Sequence, residues 1–353
     1  MRVCILGTGL SSFTLAKALV NLKINVDILI EKKRDPVNKS RTIGISKSNV
    51  DFLNKKVINI EKIIWKLNKI EIYSEKMERQ KIINFIDKNN YLFSIVKNSK
   101  LQEILAKSLK KNKYFKISYL NKKKNYLEDY NLVLNTDGNN PLTKKYFSKK
   151  IEKKYNSVAY TTILKHKKIT NNVATQIFTK NGPLAFLPLS KNQTSVVFSN
   201  TSTKRIDKIN LLQIINKHNI KYKINKISEV ECFNIKFLIL RNYIYKNILS
   251  FGDLIHKVHP LAGQGFNMTI RDIKSLTKII EYNMKLGIND GENIANEFQK
   301  NNKHLNFMYG LGIDAINSFF KMDSKLKNNL SEPIFKILKG NKFLNNYATF
   351  LSN

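Results

Sequence analysis

The chain has 353 residues and carries 62 lysines and arginines against 26 aspartates and glutamates, a formal net charge of +36. This length predicts two domains or one large composite, and a hydrophobic content of 42% excludes a generic disordered chain. The two cysteines, Cys4 and Cys232, exclude a disulfide scaffold and a cysteine-based zinc module. No apolar run reaches the roughly 18 residues that span a bilayer.

The positive charge allows three explanations. Nucleic-acid binding is disfavoured, because only seven of the 62 cations are arginine, the residue best suited to phosphate and base recognition. Lysine, asparagine and isoleucine are abundant together along the chain, which indicates a compositional bias towards AT-rich codons. A lysine-rich face would also attract anionic lipid. Composition leaves the last two explanations open.

The predicted elements begin with a βαβ unit. Strands at 2–7 and 26–30 flank a helix that follows GTGLSS. The later elements are, in order, a half-exposed strand at 69–73, two short strands within 81–96, a helix at 101–109, a mainly stranded segment at 156–240 and helices after Gly265. An α/β nucleotide-binding portion combined with a mainly antiparallel sheet and a helical tail predicts mixed α/β and α+β character.

The turn after the first strand has the spacing of a dinucleotide fingerprint. Gly7 permits a tight turn, Gly9 allows the backbone to approach a pyrophosphate, and Ser12 replaces the third glycine. Glu31 follows Ser12 by 19 residues, where a carboxylate accepts hydrogen bonds from a ribose and favours FAD or NAD over NADP. A glycine-containing turn that binds nothing is the alternative.

A second glycine-bearing segment lies at residues 250–272. A strand ends near Phe251, Gly252-Asp253 follows, and Gly263-Gln264-Gly265 stands at the start of an amphipathic helix. The two glycines let backbone N–H groups approach a flat ligand, and the helix dipole favours negative charge there. A reduced flavin develops negative charge on its pyrimidine edge, so this turn suits a flavin.

The pattern Gly-Asp-x-x-His-x-x-His-Pro-x-x-Gly-Gln-Gly-x-Asn resembles the single-component FAD-dependent aromatic hydroxylases, the para-hydroxybenzoate-hydroxylase-like flavoproteins. Within that group it is most similar to the ubiquinone-biosynthesis hydroxylase family. Four further segments resemble family motifs in the same order: RTIGIS at 41–46, NSKLQ at 98–102, NTDG at 135–138 and FTKNGPLAFLPL at 178–189.

The resemblance implies a Rossmann-like FAD-binding domain with an inserted, mainly antiparallel β-sheet substrate domain and a C-terminal helical region. The corresponding boundaries are 1–68, 97–150 and 246–290 for the FAD-binding domain, 69–96 and 151–245 for the substrate domain, and 291–353 for the C-terminal helices. It also implies an NAD(P)H- and O2-dependent monooxygenase that hydroxylates a polyprenylated quinone precursor through a flavin hydroperoxide. A cytoplasmic enzyme with peripheral contact to the inner face of the membrane, and partners in a ubiquinone-biosynthesis complex, would follow.

The resemblance assigns roles to individual residues. Those at the ADP half of FAD would be Gly7, Gly9, Ser12 and Glu31. The residues expected to bind or support the rest of FAD, and to help position the transient NAD(P)H, would be Arg41, Gln102, Asp137, Gly138, Asp253, Pro260, Gly263, Gln264, Gly265 and Asn267. Pro260 would form a wall against the flavin ring, and no acid or base is assigned.

Several positions depart from the family pattern. Leu254 and Ile255 replace two alanines, and Pro141 with Lys144 or Lys145 replaces a serine and an arginine. Asp253, His256 and His259 could form a metal site, although no further Cys/His cluster supports one. An FAD-dependent reductase or hydroxylase of another lipid and a catalytically silent flavin-binding subunit stay open as alternatives.

Overall fold

The structure, a computed structural model, describes residues 1–30, 39–75, 81–86, 91–119, 128–202, 205–260 and 263–325. Its strands are β1 (Arg2–Leu6), β2 (Asn25–Ile30), β3 (Thr42–Ser46), β4 (Trp65–Leu67), β5 (Lys69–Ser74), β6 (Lys81–Ile86), β7 (Phe93–Lys97), β8 (Phe115–Tyr119), β9 (Leu132–Asn135), β10 (Lys150–His166), β11 (Val173–Thr179), β12 (Gly182–Ser190), β13 (Gln193–Asn200), β14 (Ile224–Ile227), β15 (Glu231–Leu240), β16 (Ile244–Tyr245), β17 (Ile248–Ser250) and β18 (His256–Lys257). Its helices are α1 (Leu10–Asn21), α2 (Lys47–Phe52), α3 (Asn98–Lys110), α4 (Pro141–Tyr146), α5 (Lys208–His218), α6 (Gln264–Lys285) and α7 (Gly291–Lys325).

A six-stranded sheet has the order β16-β17-β9-β1-β2-β8 and is parallel except for the β16–β17 pair. The central strand β1 is buried from Val3 to Leu6, as expected for a parallel strand covered on both faces. Helix α1 packs against this sheet through a buried face that includes Leu15 and Leu19. The carboxyl ends of β1 and β9 therefore point towards the start of α1, where this architecture binds nucleotides.

A nine-stranded sheet has the order β18-β15-β10-β13-β12-β11-β5-β6, with β14 paired to β10. It is antiparallel except for the β5–β11 pair. Strands β3, β7 and β4 form a third, smaller sheet. Helix α6 packs against β3, and α7 packs against α6 and β15. Helix α6 therefore lies between the three-stranded sheet and α7.

The predicted βαβ opening, the helix near 101–109 and the helix after Gly265 are present. Strand β10 begins at Lys150, earlier than the predicted start near 156, because residues 150–154 pair with β15 although most of their side chains face solvent. The short elements β8, α4 and α5 were not predicted. The described part of the C-terminal region is one continuous helix, α7.

Candidate flavin site

The turn between β1 and α1 leaves a helix N-terminus open. Gly7 has φ +113°, and a Cβ there would lie 2.5 Å from Thr136 Oγ1, so only glycine fits without strain. Gly9 is the N-cap of α1, makes no side-chain cap and has open space where a Cβ would stand. The first N–H groups of α1 are thus accessible to an anion such as a pyrophosphate.

Two side chains stabilise this turn from behind. The hydroxyl of Ser12 is buried and lies 2.7 Å from Thr136 Oγ1, which itself donates to the carbonyl of Leu6 at 2.8 Å. Gln102 donates from Nε2 to the carbonyl of Thr8 at 3.0 Å. Ser12 and Gln102 therefore hold the turn in shape through their side chains.

The loop after β9 lies beside the loop after β17. The Asp137 carboxylate accepts a hydrogen bond from the Asn139 N–H at 2.9 Å, and Gly138 is exposed. A Cβ on Gly138 would lie 3.5 Å from Leu254 Cδ2. The Asp-Gly pair and the Gly252–Leu254 turn are therefore neighbours at the mouth of the cleft.

The second glycine-bearing segment meets the first directly. Gly252 has φ +63°, and a Cβ there would lie 3.0 Å from the Ser11 Cβ at the start of α1. Asp253, the next residue, is exposed and lines the adjoining cavity. The two turns, distant in sequence, thus converge at one cleft.

The start of α6 is built around Gly263. This residue has φ +68°, and a Cβ there would lie 2.8 Å from the backbone nitrogen of Gly44 in β3. Gln264 is 5% exposed, and its Nε2 has no hydrogen-bond partner in the part of the chain that the structure describes. Gly265 leaves open space, with its nearest neighbour Val258 at 4.0 Å from a built Cβ. A bare helix start beside an unsatisfied buried donor fits the acceptor-rich pyrimidine edge of a flavin.

Asn267 fixes this helix start to β3. Its Nδ2 donates to the carbonyl of Gly44 at 3.0 Å, and its Oδ1 accepts from the Ser46 N–H and from Asn49 Nδ2, both at 3.0 Å. The side chain is almost fully buried. Asn267 is therefore a positioning residue, since its polar atoms bond to the protein.

A cavity of about 340 Å³ adjoins this turn. Its lining includes Pro260, Gly263 and Gly265, the start of strand β3, and residues of the nine-stranded sheet. The apolar part of its wall consists of Ile70, Phe93, Ile95, Leu187, Val258 and Phe266. A concave, mainly apolar site of this size with a few polar groups is typical of a small-molecule pocket.

Four charged side chains line the same cavity: Arg41, Lys236, Asp253 and Lys257. Burial lowers the pKa of the Lys257 ammonium, and the nearby Asp253 carboxylate opposes that shift. Lys236 pairs with Glu152 at 3.3 Å. The cavity is therefore apolar in its walls and positive in its charge.

His256 has a structural role. Its Nε2 lies 2.7 Å from Asp272 Oδ2, and both side chains are buried. Asp272 Oδ1 also accepts from Asn306 Nδ2 at 3.1 Å, which connects β18 to α6 and α7. The ring of His259 stands edge-on to Tyr155, and the described residues contain no group of three potential metal ligands.

The departures from the family pattern have local explanations. Ile255 is fully buried in the main core. Pro141 is the first residue of α4, where a missing N–H costs nothing, and the preceding Asn140 caps that helix by accepting from the Leu142 N–H at 3.0 Å. Lys144 and Lys145 are exposed on α4. Leu254 is half-buried beside Gly138.

The described site residues gather at the converged turns and the cavity, whereas Glu31 lies outside the described residues. Thr136 and Gly44 stand in segments that the sequence singled out, but it assigned them no role, because their roles depend on packing against Gly7 and Gly263. Sequence reasoning missed Lys257, for which position in the second glycine segment was the available signal. The roles assigned to individual residues remain predictions, but the observed cradle and the unsatisfied Gln264 donor fit FAD.

Comparisons with known proteins point the same way. Residues 145–285 match a family model described as an FAD binding domain. The Drosophila melanogaster ubiquinone biosynthesis monooxygenase COQ6 is 27% identical over 160 residues, covering 35% of this chain and 34% of that protein. The Escherichia coli 3-demethoxyubiquinol 3-hydroxylase is 31% identical over 112 residues, 30% and 28% of the two chains. The matches thus span about a third of each curated relative.

Solved structures share the fold. Klebsiella pneumoniae HpxO, complexed with FAD and uric acid, superposes with a TM-score of 0.72 at 12% identity, covering 99% of this chain and 96% of that one. Pseudomonas aeruginosa pqsL, described as a probable FAD-dependent monooxygenase, gives 0.72 at 14% identity, covering 92% and 97%. The predicted fold class and the predicted family resemblance are confirmed. Among the described residues, no helix has the length and apolar character needed to cross a membrane.

Proposed function

The chain is related to the FAD-dependent aromatic hydroxylases of ubiquinone biosynthesis, and on this premise we propose that it is an FAD-dependent monooxygenase acting on the aromatic ring of a polyprenylated quinone precursor. The observation that carries the proposal is the convergence of the Gly7–Gly9 turn, the Gly252–Asp253 turn and the start of α6 around one cleft. Such a cleft suits one extended dinucleotide with a flat ring at one end.

The roles of the residues follow from their positions. Gly7 and Gly9 leave the start of α1 open to the FAD pyrophosphate, and Asp253 would bond the ribityl region. Gly263 and Gly265 would present backbone N–H groups to the pyrimidine edge, and Gln264 Nε2 would find its acceptor there. Binding FAD would thereby satisfy a buried donor that has no partner among the described residues.

When bound and reduced by NAD(P)H, FAD supplies the activation of O2 for transfer of one oxygen atom to an electron-rich ring. The chain would orient the ring and exclude water. The apolar wall, which includes Phe93, Leu187 and Phe266, would keep water from the reacting face. Pro260 would limit the position of the flavin ring from the other side.

Contact with a membrane surface belongs to the same proposal, because an isoprenyl chain partitions into lipid. The outward face of α7 exposes Leu305, Met308 and Leu311, and Lys300 and Lys303 lie one turn earlier. An apolar helix face with adjacent lysines favours anionic lipid. Flotation with vesicles of mixed neutral and anionic lipid tests this: we expect co-flotation that high salt weakens, and no co-flotation would contradict it.

Purified protein tests the central proposal. We expect flavin absorbance at one FAD per chain, and NAD(P)H oxidation coupled to incorporation of ¹⁸O from ¹⁸O2 into a phenol bearing a short isoprenyl chain. Flavin binding with NAD(P)H oxidation but without ¹⁸O incorporation would favour a reductase or a silent subunit. Absence of bound flavin after FAD is supplied would contradict the proposal.

A further inference from the structure

Lys257 is a cation at the cavity that has no hydrogen-bond or ion-pair partner among the described residues. It follows His256 on the short strand β18, and its side chain is partly buried. Its Nζ makes no hydrogen bond or ion pair with another described residue, although it lines the cavity. An unpaired ammonium in a partly desolvated position is costly unless a ligand compensates for it.

Three other partly buried lysines have partners among the described residues. Lys69 pairs with Glu71 at 2.7 Å, and Lys97 donates to Gln193 Oε1 at 3.0 Å. Lys274 donates to the Ser48 carbonyl at 3.3 Å. Lys257 differs from these three lysines, because no described residue accepts a hydrogen bond from its Nζ.

The charges around Lys257 do not neutralise it. Glu152 pairs with both Lys150, at 2.9 Å, and Lys236, at 3.3 Å. Asp253 is the remaining nearby carboxylate, and it forms no ion pair with Lys257 within 4.0 Å. Arg41 adds a further positive charge to the cavity wall.

We propose that Lys257 binds the phenolic oxygen of the aromatic substrate and favours its ionised form. This inference rests on the proposed function, because it assumes that an aromatic ring occupies the cavity beside the flavin. The phenol proton would pass to solvent, and the phenolate would pair with the ammonium. An ionised hydroxyl donates electron density to its ring. The ring carbons are then better nucleophiles towards an electrophilic oxygen.

The test uses the FAD-loaded full chain and 4-nitrophenol, whose ionisation is visible in difference spectra. An opposite charge within a few ångströms lowers a pKa by roughly one unit or more. We therefore expect bound 4-nitrophenol to ionise at a pH lower by about one unit in the wild type than in Lys257→Met. Lys257→Arg should retain most of the shift, and Lys226→Met, which removes an exposed lysine of β14, should leave it unchanged.

Flavin content and thermal unfolding, measured on each variant first, show whether the cofactor site is intact. A protein that binds no FAD contradicts the proposed function, whereas flavin-loaded wild type and Lys257→Met with the same ionisation of bound 4-nitrophenol overturn only the role of Lys257. Benzoate, which carries a carboxylate and no hydroxyl, serves as a second probe. If benzoate binding depends on Lys257 as strongly as phenolate binding does, the residue is a general anion site and the phenolate assignment is wrong.

Discussion

The turn at the start of α1 and the turn at the start of α6 both present a helix N-terminus to the cleft, but different contacts hold them. The first is held by side-chain hydrogen bonds, with Ser12 bonded to Thr136 and Gln102 bonded to Thr8. The second depends on close packing of its backbone against the backbone of one strand, β3. Gly263 packs on Gly44, and Asn267 bonds the same strand.

This difference indicates which substitutions should affect FAD binding alone and which should also affect the fold. Gly9 has open space around it, so a change there acts on the ligand and leaves the fold intact. Gly263 and its neighbours lie where α6, β3 and β18 meet, so changes there act on the fold and the ligand together. The following predictions separate the two kinds of effect.

The largest effect on stability is expected at Asp272. Replacing it with alanine leaves His256 and Asn306 without their shared partner in the core, and breaking a buried pair costs about 3–5 kcal/mol. Urea unfolding measures the loss. Asp272→Asn, which keeps the shape, should lose less, and the exposed Glu292→Gln on α7 should change little. A loss below about 1 kcal/mol for Asp272→Ala would show that the network does not stabilise the second turn.

The second-largest effect on stability is expected for Gly263→Ala. The positive φ costs about 1–3 kcal/mol for a residue with a side chain, and the collision with the Gly44 backbone adds a similar amount. Gly287→Ala is the matched control, because Gly287 has φ +75° with nothing within 4 Å of a built Cβ. Thermal unfolding and flavin retention should fall further in Gly263→Ala than in Gly287→Ala. Equal losses would mean that the contact with β3 has no consequence.

Asn267→Ala should lower the free energy of unfolding by about 1–3 kcal/mol, because it leaves Gly44 and Ser46 without their bonds to α6. We also expect faster loss of FAD on dialysis, since residues of β3 line the cavity. Asn301→Ala, at an exposed position on α7, is the control. Flavin retention equal to that of the control would contradict the positioning role of Asn267.

The smallest effect on stability is expected for Gly9→Ala. Gly9 has φ −75° and open surroundings, so the apoprotein should unfold within about 0.5 kcal/mol of the wild type. FAD affinity, measured by titration of the apoprotein, should nevertheless fall, because a methyl group would stand where the pyrophosphate approaches the helix. Gly312→Ala, with nothing within 4 Å of a built Cβ, should leave FAD affinity unchanged. Unchanged affinity in Gly9→Ala would place the pyrophosphate elsewhere.

The sequence predicted the parts of the site whose signal is local. Gly7 and Gly9 stand at a fixed spacing between a strand and a helix, and Gly263 and Gly265 stand at the start of an amphipathic one. The βαβ opening and the stranded middle segment were predictable because their apolar periodicity depends only on burial of one or both faces.

The remaining features depend on tertiary contacts. The pattern of single residues cannot show that Gly263 packs on Gly44, or that His256 bonds Asp272 and faces the core. The first part of β10 carries charged residues and lacks a strand-like apolar signal, yet it pairs with β15. The importance of Lys257 emerges only when the surrounding charges are seen to be paired with one another.

An FAD-soaked crystal structure tests the central claim most directly. We expect the pyrophosphate at the start of α1 beside Gly7 and Gly9, and the flavin ring in the cavity that Gly44, Gly263 and Gly265 line, with its pyrimidine edge near Gln264. Density for FAD bound anywhere else, or a cleft that stays empty at saturating FAD, would contradict it.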